Sequence, residues 1–229
     1  MRQPVRAVLF DFDGTLADTA PDLAEAANRL RTERGLGRMD PAVLRPVASQ
    51  GARGLLQVAL GVGPGDAEFD TLRSRYLALY DDCFDTQTRL FDGVERLLEG
   101  LGRRNIAWGI VTNKPRRFAA PLVATLGLRP TQDCLITPDE LRAAKPDPEG
   151  IHRALEWLNV ASAQALYVGD DLRDAQAAAA AGCAMAAAAY GYIADEDPMS
   201  WNPACVIGSP LELLDCLPDR PLDITAVRV

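Results

Sequence analysis

Two aspartates, Asp11 and Asp13, stand one residue apart where the apolar run at about residues 5–10 ends, directly before a Gly-Thr pair. Residues two apart in an extended strand point to the same side, so both carboxylates can face one ligand. Clustered carboxylates raise each other's pKa unless a cation offsets them. The pair therefore predicts a cation-binding site; an ordinary turn with helix-capping groups is the alternative.

Polar groups also follow later strands. They are Thr112, Asn113 and Lys114; Lys145 in a Lys-Pro-Asp-Pro segment; and Asp170, Asp171 and Asp174. Carboxylates without nitrogen or sulfur ligands suit Mg²⁺, which proteins hold with one or two carboxylates and a substrate phosphate. The hydroxyl, the amide, the lysines and the N–H groups after Asp13 are the donors that a phosphate needs. Taken together, these groups predict a site for Mg²⁺ and a phosphate.

Strands and helices alternate along most of the chain and would position these groups. Strands are predicted at about 5–10, 106–112, 134–137, 165–170, 183–189 and 204–208, with helices at 93–103, 115–126, 147–158, 171–181 and 210–217. Alternation with apolar strands predicts an α/β fold: a doubly wound, Rossmann-like parallel sheet with helices on both faces. The strand after Gly182 rests on alternation alone, because the alanine-rich sequence around it favours a helix. Ligands of such sheets bind at the carboxyl ends of the strands.

A helical segment interrupts this alternation after the first strand. A helix is predicted from Pro21 to Gly35, shorter ones at 42–48 and 52–60, and a longer one from about 66. In the last helix an apolar stripe at spacings of three to four predicts packing against other helices; it comprises Leu72, Tyr76, Leu79, Tyr80 and Phe84. We expect a core domain of residues 1–16 and 90–229 and an inserted helical domain of residues 17–89.

Composition excludes several classes of partner. The net charge of −8 disfavours nucleic acid and anionic membranes, and no block of lysine or arginine offsets it. No apolar run approaches the roughly 20 residues that cross a bilayer, and the first residues do not resemble a signal peptide. We expect a cytoplasmic monomer or homodimer that acts on a small molecule.

The cysteines and the single histidine give further limits. Five cysteines without a CxxC pair indicate reduced thiols, as in cytosolic proteins. Cys134, Cys183 and Cys205 lie in short apolar runs and are expected in the core. His152 is expected on a helix, exposed or partly buried, so any general acid or base here is predicted to be a carboxylate.

Four motifs resemble those of the haloacid dehalogenase superfamily. They are DFDGTLADT, VTN, Lys145 and GDDLRD, in that order. The helical insert is similar to the type 1 cap of that superfamily, so the resemblance covers essentially the whole chain. The second aspartate of the Asp-x-Asp motif favours members that cleave phosphate esters over the dehalogenase, phosphonate-cleaving and ATPase branches.

The resemblance implies a role for each motif residue. Asp11 would be the nucleophile that forms an aspartyl-phosphate, and Asp13 the general acid and then base. Lys145 would neutralise the nucleophile and the developing charge. Mg²⁺ would be held by the Asp11 carboxylate, the Asp13 carbonyl and the Asp170 carboxylate, with support from Asp174; substrate would be bound by Gly14, Thr15, Thr112, Asn113 and Lys114. The role of Asp171 stays open.

Substrate choice would lie in the cap. In the stretch SQGARG, Gly51 and Arg53 could present a guanidinium to a substrate carboxylate or sugar oxygen; the alternative is a solvated arginine at a helix N-terminus. The chain resembles the phosphoglycolate phosphatase group. Longer stretches are closer to the bacterial N-acetylmuramic acid 6-phosphate phosphatases, which act in cell-wall recycling: SQGARGLL, FDGVERLL, WGIVTNKPRRFAAP, VGDDLRDAQAA and YGYIADEDPMSWNPACVIGSPLEL.

Three other functions remain as alternatives. The substrate could be 2-phosphoglycolate, which also carries a carboxylate, so Arg53 does not separate the two esters. A phosphosugar mutase of the same superfamily would share the chemistry but protect its aspartyl-phosphate from water. A phosphorylated receiver domain is disfavoured, because there the adjacent acidic pair precedes the phosphorylated aspartate, whereas Asp170 and Asp171 come last here.

Overall fold

The structure, a computed structural model, describes residues 4–193 and 196–217. The outer ends of the expected core domain, residues 1–3 and 218–229, lie outside the described residues, as do residues 194–195. The strands in the described part are β1 (Ala7–Phe10), β2 (Ala17–Asp18), β3 (Arg89–Leu90), β4 (Ala107–Val111), β5 (Leu135–Ile136), β6 (Ala165–Gly169), β7 (Ala184–Ala188) and β8 (Cys205–Ile207). The helices are α1 (Ala20–Glu33), α2 (Pro41–Leu44), α3 (Gly51–Leu60), α4 (Phe69–Asp81), α5 (Val94–Arg103), α6 (Arg116–Thr125), α7 (Glu149–Leu158), α8 (Leu172–Ala180) and α9 (Leu213–Cys216).

Six strands form one parallel sheet, in the order β5-β4-β1-β6-β7-β8. The first strand lies at its centre, where Ala7 pairs with Ala107 on one side and with Ala165 on the other. All four residues of β1 are completely buried. The doubly wound parallel sheet predicted from the sequence is confirmed. Its topology brings the carboxyl ends of β1, β4 and β6 together at one edge.

Helices cover both faces of this sheet. Phe10 packs in a cluster with Leu97 of α5 and Leu122 of α6. Its neighbour Leu9 points to the opposite face, in a cluster with Ile151 of α7. Strands buried on both faces have no polar side, which is why their sequences are apolar throughout.

The alanine-rich segment changes from helix to strand at Gly182. That residue has φ of +73°, a left-handed conformation that ends α8 and that glycine adopts without strain. The alanines that follow form β7, which pairs with β6 from Leu166 to Gly169. The low-propensity strand predicted there is confirmed, because pairing and burial in the sheet outweigh the helical preference of alanine.

The insert has a hydrophobic cluster built mainly from α1, α3 and α4, which Phe118 of α6 and Tyr192 also join. The predicted apolar stripe is buried at Leu72, Tyr76, Leu79 and Tyr80 and half-buried at Phe84. A short 3-10 helix, Arg45–Gln50, connects α2 to α3. Two residues each of β2 and β3 pair antiparallel where the insert leaves and rejoins the sheet; no strand is predicted there, because two-residue strands are too short for periodicity to reveal.

The remaining expectations concern single residues. His152 is exposed on α7, as expected. Cys134 and Cys183 are buried in the core, whereas Cys205 is only half-buried in β8. Within the described residues, no helix combines the length and the apolar character that crossing a membrane requires.

Candidate active site

The loop after β1 is held by the neighbouring strand and by a tight turn. The Asp11 N–H donates to the Val168 carbonyl of β6 (2.9 Å), which extends the ladder by one residue. Gly14 has φ of +79°, and a Cβ there would lie 2.1 Å from a carboxylate oxygen of Asp170. Only glycine satisfies both the turn and this close approach. The turn therefore brings the first and last acidic motifs into contact.

Lys145 lies among the carboxylates at this sheet edge. Its ammonium is 2.8 Å from Asp11 Oδ1 and 2.7 Å from Asp174 Oδ1, and it donates to the Tyr167 hydroxyl (2.8 Å). Burial opposes the charged form, but the carboxylates of Asp11 and Asp174 raise the pKa of Lys145 above its ordinary value. The lysine is therefore a fixed positive charge against Asp11.

One lysine does not balance the surrounding negative charge. Burial raises the pKa of Asp11 to about 7, although Lys145 lowers it. Burial, with repulsion from Asp11 and Asp174, places the pKa of Asp170 well above its ordinary value. Ligand oxygens of these three aspartates lie within 4.8 Å of one another. Because the donors are all oxygen, the cluster fits a hard divalent cation, which would supply the missing positive charge.

Asp13 has different surroundings from Asp11. Its Oδ1 accepts hydrogen bonds from Thr19 Oγ1 (2.5 Å) and from the Lys114 ammonium (3.0 Å). Lys114 is buried and also donates to the hydroxyl of Tyr80 on α4 (2.8 Å). The second aspartate is thus fixed by a core lysine that contacts the insert, apart from the three clustered carboxylates.

The residues after β4 divide into two roles. The Thr112 hydroxyl accepts from the Lys114 N–H (3.1 Å) and keeps its own proton available as a donor. Asn113 uses its side chain on the main chain of Lys145: Oδ1 accepts from the Lys145 N–H and Nδ2 donates to the Lys145 carbonyl, both at 3.0 Å. The Asn113 amide therefore positions Lys145.

Asp170 is held on both carboxylate oxygens. Thr15 Oγ1 donates to Oδ1 (2.9 Å), and Ser49 Oγ and the Tyr192 N–H donate to Oδ2 (both 2.9 Å). Thr15 is completely buried, so its hydroxyl orients Asp170. Ser49 and Tyr192 were not predicted as site residues. Tyr192 lies in the stretch that begins YGYIADED and Ser49 in the candidate cap stretch, and neither stretch is one of the four motifs.

Asp171, whose role the sequence leaves open, begins α8. It caps the helix, accepting from the Arg173 N–H, while Asp174 Oδ2 accepts from the Asp171 N–H (3.1 Å) in a capping box. Burial alone would raise the pKa of Asp171, but its two-point pair with the Arg173 guanidinium lowers it. Arg173 also donates to the Ser49 carbonyl (2.7 Å). Asp171 thus holds an arginine that connects the core to the insert.

A cavity of about 270 Å³ lies between the sheet edge and the insert. Five of the predicted site residues line its core side: Asp11, Asp13, Thr112, Asn113 and Lys114. Gly51 and Arg53 line it from the insert. Gly14, Thr15, Lys145, Asp170 and Asp174 are not among its lining residues. Lining residues that the sequence did not single out as ligand contacts include Arg73, Tyr76, Tyr80, Phe118 and Arg173.

Known proteins resemble this chain over most of its length. The family model described as haloacid dehalogenase-like hydrolase matches residues 8–188. An N-acetylmuramic acid 6-phosphate phosphatase of Pseudomonas putida is 43% identical over 91% of this chain and 94% of its own, and that of Pseudomonas aeruginosa is 39% identical over 96% and 98%. A phosphoglycolate phosphatase of Xanthomonas campestris is 43% identical over 93% and 96%.

Solved structures show the same fold. A predicted phosphoglycolate phosphatase from Haemophilus somnus superposes with a TM-score of 0.80 at 24% identity, over 94% of this chain and 99% of that one. At that identity the likeness concerns the fold alone. The family model covers most of the chain, and the relatives match the chain over nearly its full length. The protein therefore belongs to the haloacid dehalogenase-like hydrolase family.

Proposed function

We propose that this protein is an Mg²⁺-dependent phosphomonoesterase that hydrolyses N-acetylmuramic acid 6-phosphate through an aspartyl-phosphate on Asp11. One observation carries the reaction: Asp11, paired with buried Lys145 at 2.8 Å, borders the cavity together with Asp13. A nucleophilic carboxylate and a separate carboxylate for proton transfer are the two groups that this chemistry needs. Membership of a hydrolase family supports the same reaction class.

The reaction proceeds in two displacements. An Asp11 oxygen attacks phosphorus while the bond to the ester oxygen breaks, and Asp13 gives that oxygen its proton. Asp13 then takes a proton from a water, whose oxygen attacks phosphorus and releases inorganic phosphate from Asp11. Lys145 stabilises the charge on the attacking oxygen, and the Thr112 hydroxyl donates to a phosphoryl oxygen.

Hydrogen bonds in the core keep these groups in place. Asn113 holds the main chain of Lys145, and Lys114 with Thr19 holds Asp13 on the cavity side. The carboxylates of Asp11 and Asp170 and the Asp13 carbonyl would hold Mg²⁺, with Asp174 in support. When bound, the ion supplies charge neutralisation for the phosphoryl group. The orienting groups around Asp170 are then the ones that tune metal affinity.

The division of labour follows the hydrophobic clusters, one on each face of the sheet and a third in the insert. We assign catalysis to a core of residues 1–16 and 90–229 and substrate selection to a cap of residues 17–89. The cap side of the cavity is contributed by the 3-10 helix, α3 and α4. The assignment implies a cytoplasmic enzyme, monomeric or homodimeric, that acts on a free phosphate ester and not on nucleic acid or a membrane. Its net charge of −8 supports this.

The cavity supports the sugar ester over 2-phosphoglycolate. Relatives bearing either name reach 43% identity, so similarity alone does not separate the two substrates. A volume of about 270 Å³ approaches the roughly 300 Å³ at which pockets begin to enclose drug-sized ligands. Tyr76, Tyr80 and Phe118 give the cavity an aromatic wall. A sugar ring has apolar C–H faces to place against that wall, whereas phosphoglycolate has a single methylene.

Steady-state kinetics on both esters with Mg²⁺ test the assignment. We expect kcat/KM for N-acetylmuramic acid 6-phosphate to exceed that for 2-phosphoglycolate by more than about tenfold, which corresponds to about 1.4 kcal/mol. A tenfold preference in the opposite direction would overturn the sugar assignment. An isomerised sugar phosphate without release of inorganic phosphate would indicate a mutase and contradict hydrolysis.

A further inference from the structure

Two arginines of the insert border the cavity without a partner. Arg53 on α3 and Arg73 on α4 line it. Neither guanidinium group makes an ion pair or a hydrogen bond within the described part of the chain. Most other arginines of the insert are matched to carboxylates: Arg29, Arg34, Arg38, Arg45 and Arg75. In a protein with a net charge of −8, two unmatched guanidinium groups give the insert side of the cavity a positive charge, opposite the carboxylates of its core side.

The periodicity of α4 gives Arg73 a defined direction. Arg73, Tyr76, Leu77 and Tyr80 all line the cavity, at positions i, i+3, i+4 and i+7, which is one face of a helix. The tyrosines anchor that face because both are buried. Arg75, two residues further along, is paired with Glu33 of α1 and does not line the cavity. The apolar stripe of α4, which the sequence predicts to pack in the core, therefore also forms a wall of the cavity. Arg73 places a positive charge at the start of that wall.

Arg53 approaches the same cavity from a second helix. It lies in the first turn of α3, three residues after Gln50, and Gln50, Gly51 and Ala52 line the cavity beside it. The helices α3 and α4 share the hydrophobic cluster of the insert, through Leu55 and Leu72 among others. Their relative position is therefore set by packing, and a site built on packed helices is more precise than one on loops.

The two guanidinium groups are suited to a carboxylate. Arginine presents planar, forked donors that match a carboxylate bidentately, and it keeps its charge under all physiological conditions. The proposed function already assigns the phosphoryl group to the core side, to the Thr112 hydroxyl and to the carboxylates of Asp11 and Asp170 that would hold Mg²⁺. We propose that Arg53 and Arg73 form a carboxylate-binding subsite that selects esters with a carboxylate on the leaving group, Arg73 being a specificity-determining residue. This proposal rests on the proposed phosphatase function.

Comparing two sugar phosphates shows how much the carboxylate contributes to kcat/KM. N-Acetylglucosamine 6-phosphate differs from N-acetylmuramic acid 6-phosphate only in lacking the lactyl ether that carries the carboxylate. We expect Arg73→Gln to lower kcat/KM for the muramate ester by about 10- to 100-fold, the range for a lost hydrogen bond to a charged group. For N-acetylglucosamine 6-phosphate we expect kcat/KM to change by no more than about threefold. Arg53→Gln should act in the same direction.

Arg75→Gln is the matched control, since it removes the same charge from the same helix on a face away from the cavity. It should leave the ratio of the two kcat/KM values unchanged. Equal losses on both sugar esters, or no loss on either, with Arg73→Gln would overturn the subsite. Because Arg73 is exposed and glutamine is a good helix former, the variant should fold as the parent does.

A wrong substrate assignment would give different kinetic results from a wrong subsite. If the unmodified protein hydrolyses 2-phosphoglycolate and neither sugar ester, the proposed substrate is wrong. The subsite is then tested by comparing kcat/KM for 2-phosphoglycolate with kcat/KM for ethyl phosphate, which lacks the carboxylate. Loss of the preference for the carboxylate-bearing ester in Arg73→Gln then supports the subsite. An unchanged preference contradicts it.

Discussion

Neighbouring aspartates differ here because each has a different set of partners. Asp11 is paired with Lys145 and lies among the carboxylates that fit a cation, and burial raises its pKa to about 7. Asp13 is bound by a lysine and a threonine outside that cluster. Such divergent surroundings are how two identical side chains take different catalytic roles. The single histidine, His152, is exposed on α7 and does not line the cavity.

The nucleophile assignment predicts a large loss of turnover in Asp11→Asn. Asparagine has nearly the same shape but lacks the anionic oxygen that attacks phosphorus. We expect kcat to fall by more than about 10³-fold, since loss of a nucleophile alone costs about 10⁶ in a well-studied case. The circular dichroism spectrum should be unchanged. Appreciable residual turnover would refute the role of Asp11.

Thr15 provides a subtler test at the same scale. Its hydroxyl donates to Asp170 at 2.9 Å in a fully buried setting, so Thr15→Val removes one of the groups that orient a predicted metal ligand. We expect the Mg²⁺ concentration for half-maximal activity to rise by about 10- to 100-fold, the usual cost of losing such a partner.

Thr15→Ser, which keeps the hydroxyl, should stay close to the parent value. If the serine variant lost metal affinity as severely as the valine variant, packing of the methyl group would be the cause and the orienting role would be wrong.

At the level of elements, the contact between the 3-10 helix and α8 would connect the proposed substrate-selecting insert to the proposed catalytic core. Ser49 donates its hydroxyl to Asp170 and accepts at its carbonyl from Arg173. Arg173 is in turn held by Asp171 through two hydrogen bonds, at 2.7 and 2.8 Å. One residue of the insert, Ser49, thus touches both a predicted metal ligand and an arginine of the helix that follows it.

Arg173→Gln is expected to loosen this contact. It removes the charged donor to the Ser49 carbonyl, and hydrogen bonds from charged groups contribute about 1.5–3 kcal/mol. We expect faster amide hydrogen exchange across residues 45–50 and a KM raised by about tenfold or more. Arg153→Gln on α7, which removes an arginine paired with Glu149 at 3.8 Å, is the control. Unchanged exchange at residues 45–50 would show that Arg173 does not hold the insert.

For the whole molecule, the sheet concentrates buried charge at one edge and leaves it under-compensated. Asp11, Asp170 and Asp174 are all buried there against a single ammonium, that of Lys145. Taking unpaired charges out of water is costly. A cation that binds only the folded chain therefore adds stability as well as activity.

Mg²⁺ is accordingly expected to raise the thermal midpoint of unfolding. A ligand that binds only the folded state adds about 2.7 kcal/mol at 100 times its Kd, which for a chain of this size is a shift of several degrees. Thermal scans with EDTA or with millimolar Mg²⁺ measure it. Asp170→Asn should abolish the Mg²⁺-dependent shift. An equal shift in that variant would place the ion elsewhere.

Most of the fold could be predicted because its signals are local. Strands buried on both faces are apolar throughout, and each helix begins or ends near a proline or glycine, as at Pro21 and Gly35. The strand at Ala184–Ala188 could be expected only from the alternation, since its alanines favour a helix. The β2–β3 pair could not be expected, because its two strands come from distant parts of the chain and have two residues each.

The amino-acid order alone established which chemistry is present. Alternating elements place Asp11, Thr112, Lys145 and Asp170 at one sheet edge, since the carboxyl ends of parallel strands meet there. Resemblance to a known superfamily added the role that each would play. Because the chain has a single histidine, the composition also predicts that its general acids and bases are carboxylates.

Tertiary packing decided which partner each of these groups has. Asn113 holds the backbone of Lys145, and Thr15 reaches Asp170 across 155 positions of sequence. Arg73 becomes a cavity residue only because the buried tyrosines of α4 turn that face towards Asp11. Such contacts depend on the packing of side chains that are far apart in the chain, and no pattern within a single segment contains that information.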